Sequence, residues 1–125
     1  MKTLSFTYVI KGRIPSKKNT VLKGRYGQMY QAKQPELDAI TWQLRQQKKH
    51  PTIISPVCVC YAVNSHSRRQ DLSNIIASID DCLEKAEIIK NDRQIEQTGY
   101  SYITFDKKRG EGAIITISGT KNEAK

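Results

Sequence analysis

The sequence predicts an α+β domain, one mixed β-sheet with two helices packed on it. Three observations carry this. Two stretches, LDAITWQL and LSNIIASIDDCLEKA, place apolar residues at helical spacing, while several others alternate or run apolar over strand length. At 125 residues the chain is long enough for one core and too short for two, so residues 1–125 are expected to form a single domain.

Taken in order, Leu4, Phe6, Tyr8 and Ile10 alternate with polar or smaller residues, as in a half-buried strand. KGRIPSKKNTVLKGRYGQMYQAKQ is rich in Gly, Lys and turn formers, and reads as a long basic loop with a short hairpin at VLKGRYGQMY. PELDAITWQLRQQKK carries helix start and stop signals: Pro35 at its head, acids in its first turn and cations at its end. Leu37, Ile40, Thr41 and Leu44 form its inward face, with Trp42 along the edge and expected to pack into the core. SPVCVCYAV is a buried strand on which Cys58 and Cys60 share one face as small core residues. DLSNIIASIDDCLEKAEII is the second helix. IEQTGYSYITFD and GAIITISG are two strands expected to form a hairpin through the polar turn KKRGE. The predicted order is β-(basic loop)-α-β-α-β-β.

Composition excludes several classes. With 38% hydrophobic and 26% charged residues the chain is that of an ordinary soluble globular protein. Its longest apolar run, PVCVCYAV, has strand length and is too short to span a bilayer, so no membrane association is expected. MKTLSFTYVIKGR alternates and is followed by no small-residue cleavage site, so it is not a signal peptide, and the expected location is the cytoplasm. Cys58, Cys60 and Cys82 lack a second Cys or His pair at zinc-ligand spacing, since His50 and His66 are isolated.

Charge is the informative quantity. The net charge is +9, yet it is segregated: residues 11–35 hold Lys11, Arg13, Lys17, Lys18, Lys23, Arg25 and Lys33 with no acid. Residues 71–96 hold Asp71, Asp80, Asp81, Glu84, Glu87, Asp92 and Glu96, seven of the twelve acids. A basic surface favours a polyanionic partner, because each neutralised phosphate releases counterions.

On a helix, Leu72, Ile75, Ile76, Ile79, Cys82, Leu83 and Ala86 share one apolar face. Asn74, Ser78, Asp81 and Lys85 fall on an adjacent polar stripe that Asp71 leads into, and Asp80 is expected to point to solvent. Asp71 and Ser73 each suit an N-cap, and Asp71 equally suits a metal ion. Asp81 alone reads as a solvated acid and Asp92, in KNDRQI, as a turn residue before a strand.

RRQDLSNIIASIDDCLEKAEIIKNDRQI resembles the central motif of RusA-type Holliday-junction resolvases. That pattern is basic residues, then D-x-D-N-L, a helix carrying D-A-L, a hydrophobic patch and D-D-x-Q-I/V. Asp71, Leu72, Asn74, Asp81, Leu83, Lys85, Ala86, Asp92, Gln94 and Ile95 match without insertion or deletion. IPSKKNT with KGRYGQMYQAKQ is similar to the family's basic loop. The resemblance implies a homodimeric α+β endodeoxyribonuclease of DNA recombination and repair that binds four-way DNA and cuts it symmetrically with Mg²⁺. It makes Asp71 and Asp92 the metal ligands, with Ser73 and Asp81 supporting them and Asn74 orienting them. Arg13, Lys17, Lys18, Lys23, Arg25, Lys33, Arg68 and Arg69 would hold the phosphate backbone.

The chemistry suits those residue types. Mg²⁺ takes carboxylate and water oxygens, and between carboxylates and a scissile phosphate it lowers the pKa of an attacking water. Two positions depart from the pattern: Ser73 replaces the second motif acid and Ala77 a helix lysine. A serine brings no charge, so the site would hold Mg²⁺ less tightly, and loss of the lysine removes a cation from the reacting oxygens. These departures favour an alternative expectation, a branched-DNA-binding protein of weakened or absent activity on the same fold. An RNA-binding domain with a merely solvated acidic helix is a third.

Overall fold

Alternation at the N-terminus builds the first strand. In a computed structural model, which describes residues 3–16, 21–23, 29–31 and 34–120, β1 (Thr3–Lys11) buries Tyr8 and Ile10 and turns Thr7 and Val9 outward. β2 (Val21–Lys23) and β3 (Met29–Gln31) pair antiparallel, the hairpin expected within VLKGRYGQMY. α1 (Gln34–Gln47), β4 (Val57–Asn64) and α2 (Leu72–Lys85) follow. A single 3-10 turn (Asp92–Gln94) then leads into β5 (Ile95–Thr98), β6 (Tyr102–Thr104) and β7 (Gly112–Thr120). The chain is the small α+β domain with a mixed sheet and two helices that the sequence predicts.

The topology departs from expectation at the C-terminus. β7 does not fold back on β6. It inserts between β1 and β4, antiparallel to both, and β5 and β6 pair in parallel with the other side of β4. The reason lies in length and pattern. The nine-residue β7 buries Ala113, Ile115 and Ile117 and can serve two neighbours, whereas the three-residue β6 cannot occupy a sheet centre. The segment expected to be one strand breaks at Gly99–Ser101, and the Ser101 hydroxyl accepts the Tyr61 N–H at 3.0 Å, so β4 loses no partner there. Gly112, at φ 155°, starts β7 so close to β1 that a Cβ would strike the Ile10 carbonyl.

α1 and α2 cover one face of the sheet. Leu37, Ile40, Thr41 and Leu44 of α1 are buried as expected, together with Ile75, Ile79, Cys82 and Leu83 of α2. Trp42 is not in the core: 63% of it is exposed, because the position after Thr41 turns away from the sheet. Ser78 is buried rather than on a solvent stripe. Asp80 does not point to solvent; it is half-buried and accepts a hydrogen bond from the Tyr61 hydroxyl across the core edge. Cys58 and Cys60 do share a face, but the other one. Strand β4 gives Val57, Val59, Tyr61 and Val63 to the core and leaves both thiols half-exposed on the uncovered face. α2 ends on Glu87 at φ 60°, with Ile88 N–H donating to Leu83 and Glu87 N–H to Glu84. Among the described residues, no helix is long and apolar enough to cross a membrane.

The free edge of β1 is closed by side chains. Gln43 and Gln47, one helical turn apart on α1, each accept a backbone N–H and donate to a carbonyl, at Lys11 (2.9 and 2.9 Å) and at Val9 (2.8 and 2.6 Å). Two amides thereby imitate a neighbouring strand on an edge otherwise unpaired among the described residues. Gln43→Ala with Gln47→Ala is expected to lower the unfolding free energy by about 2–4 kcal/mol, at ~1 kcal/mol per hydrogen bond, as read by urea titration.

Burial raises two phenols. Tyr8 is pushed from 10.0 up to about 12, and Tyr61 is raised by burial first and by Asp80 second. A folded-state pKa above the unfolded one means stability is fully present below about pH 10 and is lost as pH rises toward 12. Unfolding free energy measured across that range should fall, and Tyr8→Phe should make the fall shallower.

Candidate nucleic-acid interface and the placement of the carboxylates

Helix α2 starts on its own cap. Asp71 is extended (φ −102°, ψ 129°), and its Oδ1 accepts from the Ser73 N–H and the Ser73 hydroxyl, both at 3.0 Å. The hydroxyl therefore turns back onto Asp71, which is the structural use of serine at this position. Asp71 and Ser73 are exposed and Asn74 is half-buried. Two hydrogen bonds moor the first part of the basic loop to this end of α2. Ser78 Oγ donates to the Pro15 carbonyl at 2.6 Å, and Gln70 Nε2 donates to that of Ile14 at 2.8 Å.

The remaining acids of the motif lie elsewhere. Asp81 is ten residues along the helix, ~15 Å at 1.5 Å per residue, and forms an ion pair with Lys85 at 3.2 Å. Asp92 follows the far end of α2, where its N–H donates to Glu84 Oε1 at 3.0 Å. Two independent rulers give its separation from Asp71. Glu84 is thirteen residues beyond Asp71 on the helix, ~20 Å away. Asp92 leads into Ile95 beside Val57 at the start of β4, while Asp71 follows Asn64 at its end, and those eight strand residues span ~23 Å. Gln94, also in the motif, is structural: its Nε2 donates to the carbonyls of Ile53 (2.7 Å) and Ser55 (3.0 Å).

A donor set for Mg²⁺ is consequently incomplete in one chain. Ligand oxygens must come within about 2.1 Å of the ion, which Asp71 and Asp92 of one chain cannot do together. Among the described residues, no three His, Cys, Asp or Glu side chains are grouped to share a metal.

The cations are gathered instead. Asn64, buried at the end of β4, donates through Nδ2 to the carbonyls of Asp106 (3.0 Å), Arg109 (3.3 Å) and Gly110 (3.1 Å). Its Oδ1 accepts from the Thr104 hydroxyl (2.7 Å) and the Asp106 N–H (3.0 Å). This one amide shapes the turn carrying Lys107, Lys108 and Arg109. The neighbouring loop is tied to that turn through His66 Nε2, 2.6 Å from the Arg109 carbonyl, and brings Arg68 over the Phe105 ring at 4.9 Å, with Arg69 beside it. Lys11 and Arg13 arrive from β1, where Gly12 N–H meets the Glu111 carbonyl at 2.8 Å. Seven exposed cations from three segments thus face three acids, Asp71, Asp106 and Glu111, at one end of the sheet. Arg13, Arg68 and Arg69 were expected here. Lys107, Lys108 and Arg109, in the polar turn expected only to join two strands, belong to this cluster as well, and their charge run is the signal for it in the sequence. Lys17, Lys18, Arg25 and Lys33, and the side chain of Lys23, lie outside the described residues.

The chain matches no protein-family model and no curated protein.

Asn64→Ala removes five hydrogen bonds and leaves three turn carbonyls to water. We expect it to cost about 2–4 kcal/mol of stability and to speed amide exchange selectively across residues 104–111, as measured by hydrogen–deuterium exchange.

Proposed function

We propose that the protein binds branched, four-way DNA as a homodimer, gripping phosphates with the cationic end of its sheet. The observation that carries this reading is the convergence of Lys11, Arg13, Arg68, Arg69 and the 107–109 turn around the exposed start of α2. Such contacts position a duplex without reading its sequence, which suits recognition of shape. A four-way junction has two-fold symmetry, which a two-fold dimer can mirror. Recombination and repair are the settings in which that substrate arises, and the cytoplasm is where this reading places the protein.

A second reading is Mg²⁺-dependent paired cleavage of the junction, and a specific observation favours it. The gap-free motif sets one exposed carboxylate near each end of α2. Two copies of α2 packed antiparallel about a two-fold would bring Asp71 of each chain toward Asp92 of the partner subunit, twice over. The residues fit the ion only in such a pair. Bound there, Mg²⁺ would lower the pKa of the attacking water and offset charge on the phosphate. Asp71, held by its cap, would supply one ligand oxygen, and Asn74 would help orient it.

One set of measurements addresses both readings. The native chain should bind a synthetic four-way junction in preference to linear duplex. Arg68→Ala with Arg69→Ala should weaken binding at least tenfold and reduce the slope of log K against log salt by about 2. Equal affinity for junction and linear duplex would sink the binding reading. For cleavage, Asp71→Asn and Asp92→Asn should each abolish nicking in Mg²⁺, and mixing the two inactive chains should restore it, since half of the mixed sites regain both carboxylates. Tight junction binding with no nicks from the native chain would leave the binding reading alone standing.

A further inference from the structure

We propose that the uncovered face of the sheet is a second nucleic-acid site, which takes unpaired nucleotides by stacking their bases on Tyr100 and Tyr102. The register sets a row across four strands, Val9 on β1, Ile114 on β7, Ala62 on β4 and Tyr102 on β6. All four lie on the face that the helices leave bare, with Val9 40%, Ile114 46% and Tyr102 43% exposed. Tyr100, two residues before Tyr102, is 83% exposed, and the two ring centroids stand 5.6 Å apart at 42°. These side chains do not complete the core, which is filled from the other face. Val9, Ala62, Tyr102 and Ile114 line a depression of about 530 Å³ that reaches Lys11 and Arg109.

Shape and charge together select the occupant. The row is three strand spacings wide, ~14 Å, enough for two or three stacked bases. Lys11 and Arg109 line its depression, and Lys107 and Lys108 precede Arg109 in the same exposed turn. The two acids there are engaged: Asp106 Oδ1 accepts the Lys108 N–H and Glu111 Oε2 the His66 N–H, both at 2.9 Å. A second copy of the chain laid on this face would set one cationic rim against another. A single strand supplies flat apolar bases for the rings and phosphates for the rim, and stacking tolerates any base sequence. The other half of the same face, the row Ser5, Ser118, Cys58 and Gln97, has neither aromatic rings nor cations.

The inference shares with the proposed junction binding only the positive end of the sheet, so the two can fail separately. Anisotropy of a labelled oligothymidylate at low salt would be followed for the native chain and for Tyr100→Ala, Tyr102→Ala and Tyr102→Phe. Sedimentation and urea unfolding of each variant would accompany it. Each alanine variant should bind the oligonucleotide about tenfold more weakly, Tyr102→Phe should bind as the native chain does, and affinity for a fully paired four-way junction should not change. Native binding by both alanine variants, or no binding by the native chain while the junction is still bound, would overturn the stacking site. Conversion of a dimer to a monomer by Tyr100→Ala or Tyr102→Ala would also overturn it and make the face a protein interface.

Discussion

Parallel pairing of β4 with β5 governs the arrangement of every group that bears on function. Two parallel neighbours cannot be joined by a tight turn, so the chain must travel back the length of β4 before β5 can begin. α2 makes that journey in fourteen residues. Whatever precedes the helix therefore lies at one end of the sheet, and whatever follows it lies at the other. Asp71 and Asp92 are close in the motif's logic and far apart in one chain for this reason alone. The 65–70 loop, which directly continues β4, lies at that first end together with the 105–111 turn and the end of β1.

That end is organised by a few buried amide contacts. Asn64 spends all of its hydrogen-bonding capacity on one turn, and the turn has no other comparable anchor among the described residues. Gln43 and Gln47 act in a similar way at the opposite side of the sheet, fixing α1 to β1 through backbone groups rather than through charge. The cations themselves are left mostly out of ion pairs with neighbours: the described pairs are Lys85 with Asp81 and His66 with Glu111. Exposed positive charges held on a shaped backbone keep their attraction for phosphate where, as among the described residues, no carboxylate forms an ion pair with them.

Ser73 shows how a local rule and a functional expectation can use the same residue. Read against a two-acid pattern, it is a missing ligand. In place, its N–H and hydroxyl both close on Asp71 Oδ1, which fixes the carboxylate and starts the helix. An aspartate there could not donate through its ionised side chain, and would set a second negative charge beside the first.

Local structure was legible in the sequence because its causes are local. Helical spacing located α1 and α2, alternation located β1, and the cap of α2 was narrowed to Asp71 or Ser73, since each signal is carried by residues within a turn or two of one another. Of the basic cluster expected over residues 11–35, Lys11 and Arg13 are described and exposed, and Arg68 and Arg69 lie exposed as well. Strand order was not legible. Nothing near residues 112–120 says that β7 divides β1 from β4, because that choice depends on which distant edges are open and how long they are. The face that β4 buries escaped for the same reason: alternation puts Cys58 and Cys60 on one side, but only the helices' position says which side is covered. Asp80 and Trp42 were misplaced because helical periodicity gives direction around an axis, not what stands opposite. The sequence by itself determined the helices, most of the strands and the charge the chain carries. The tertiary structure alone decided that the two carboxylates separate, that the cations converge and that a row with an aromatic end stays bare, because these depend on distances across the sheet that no short-range pattern encodes.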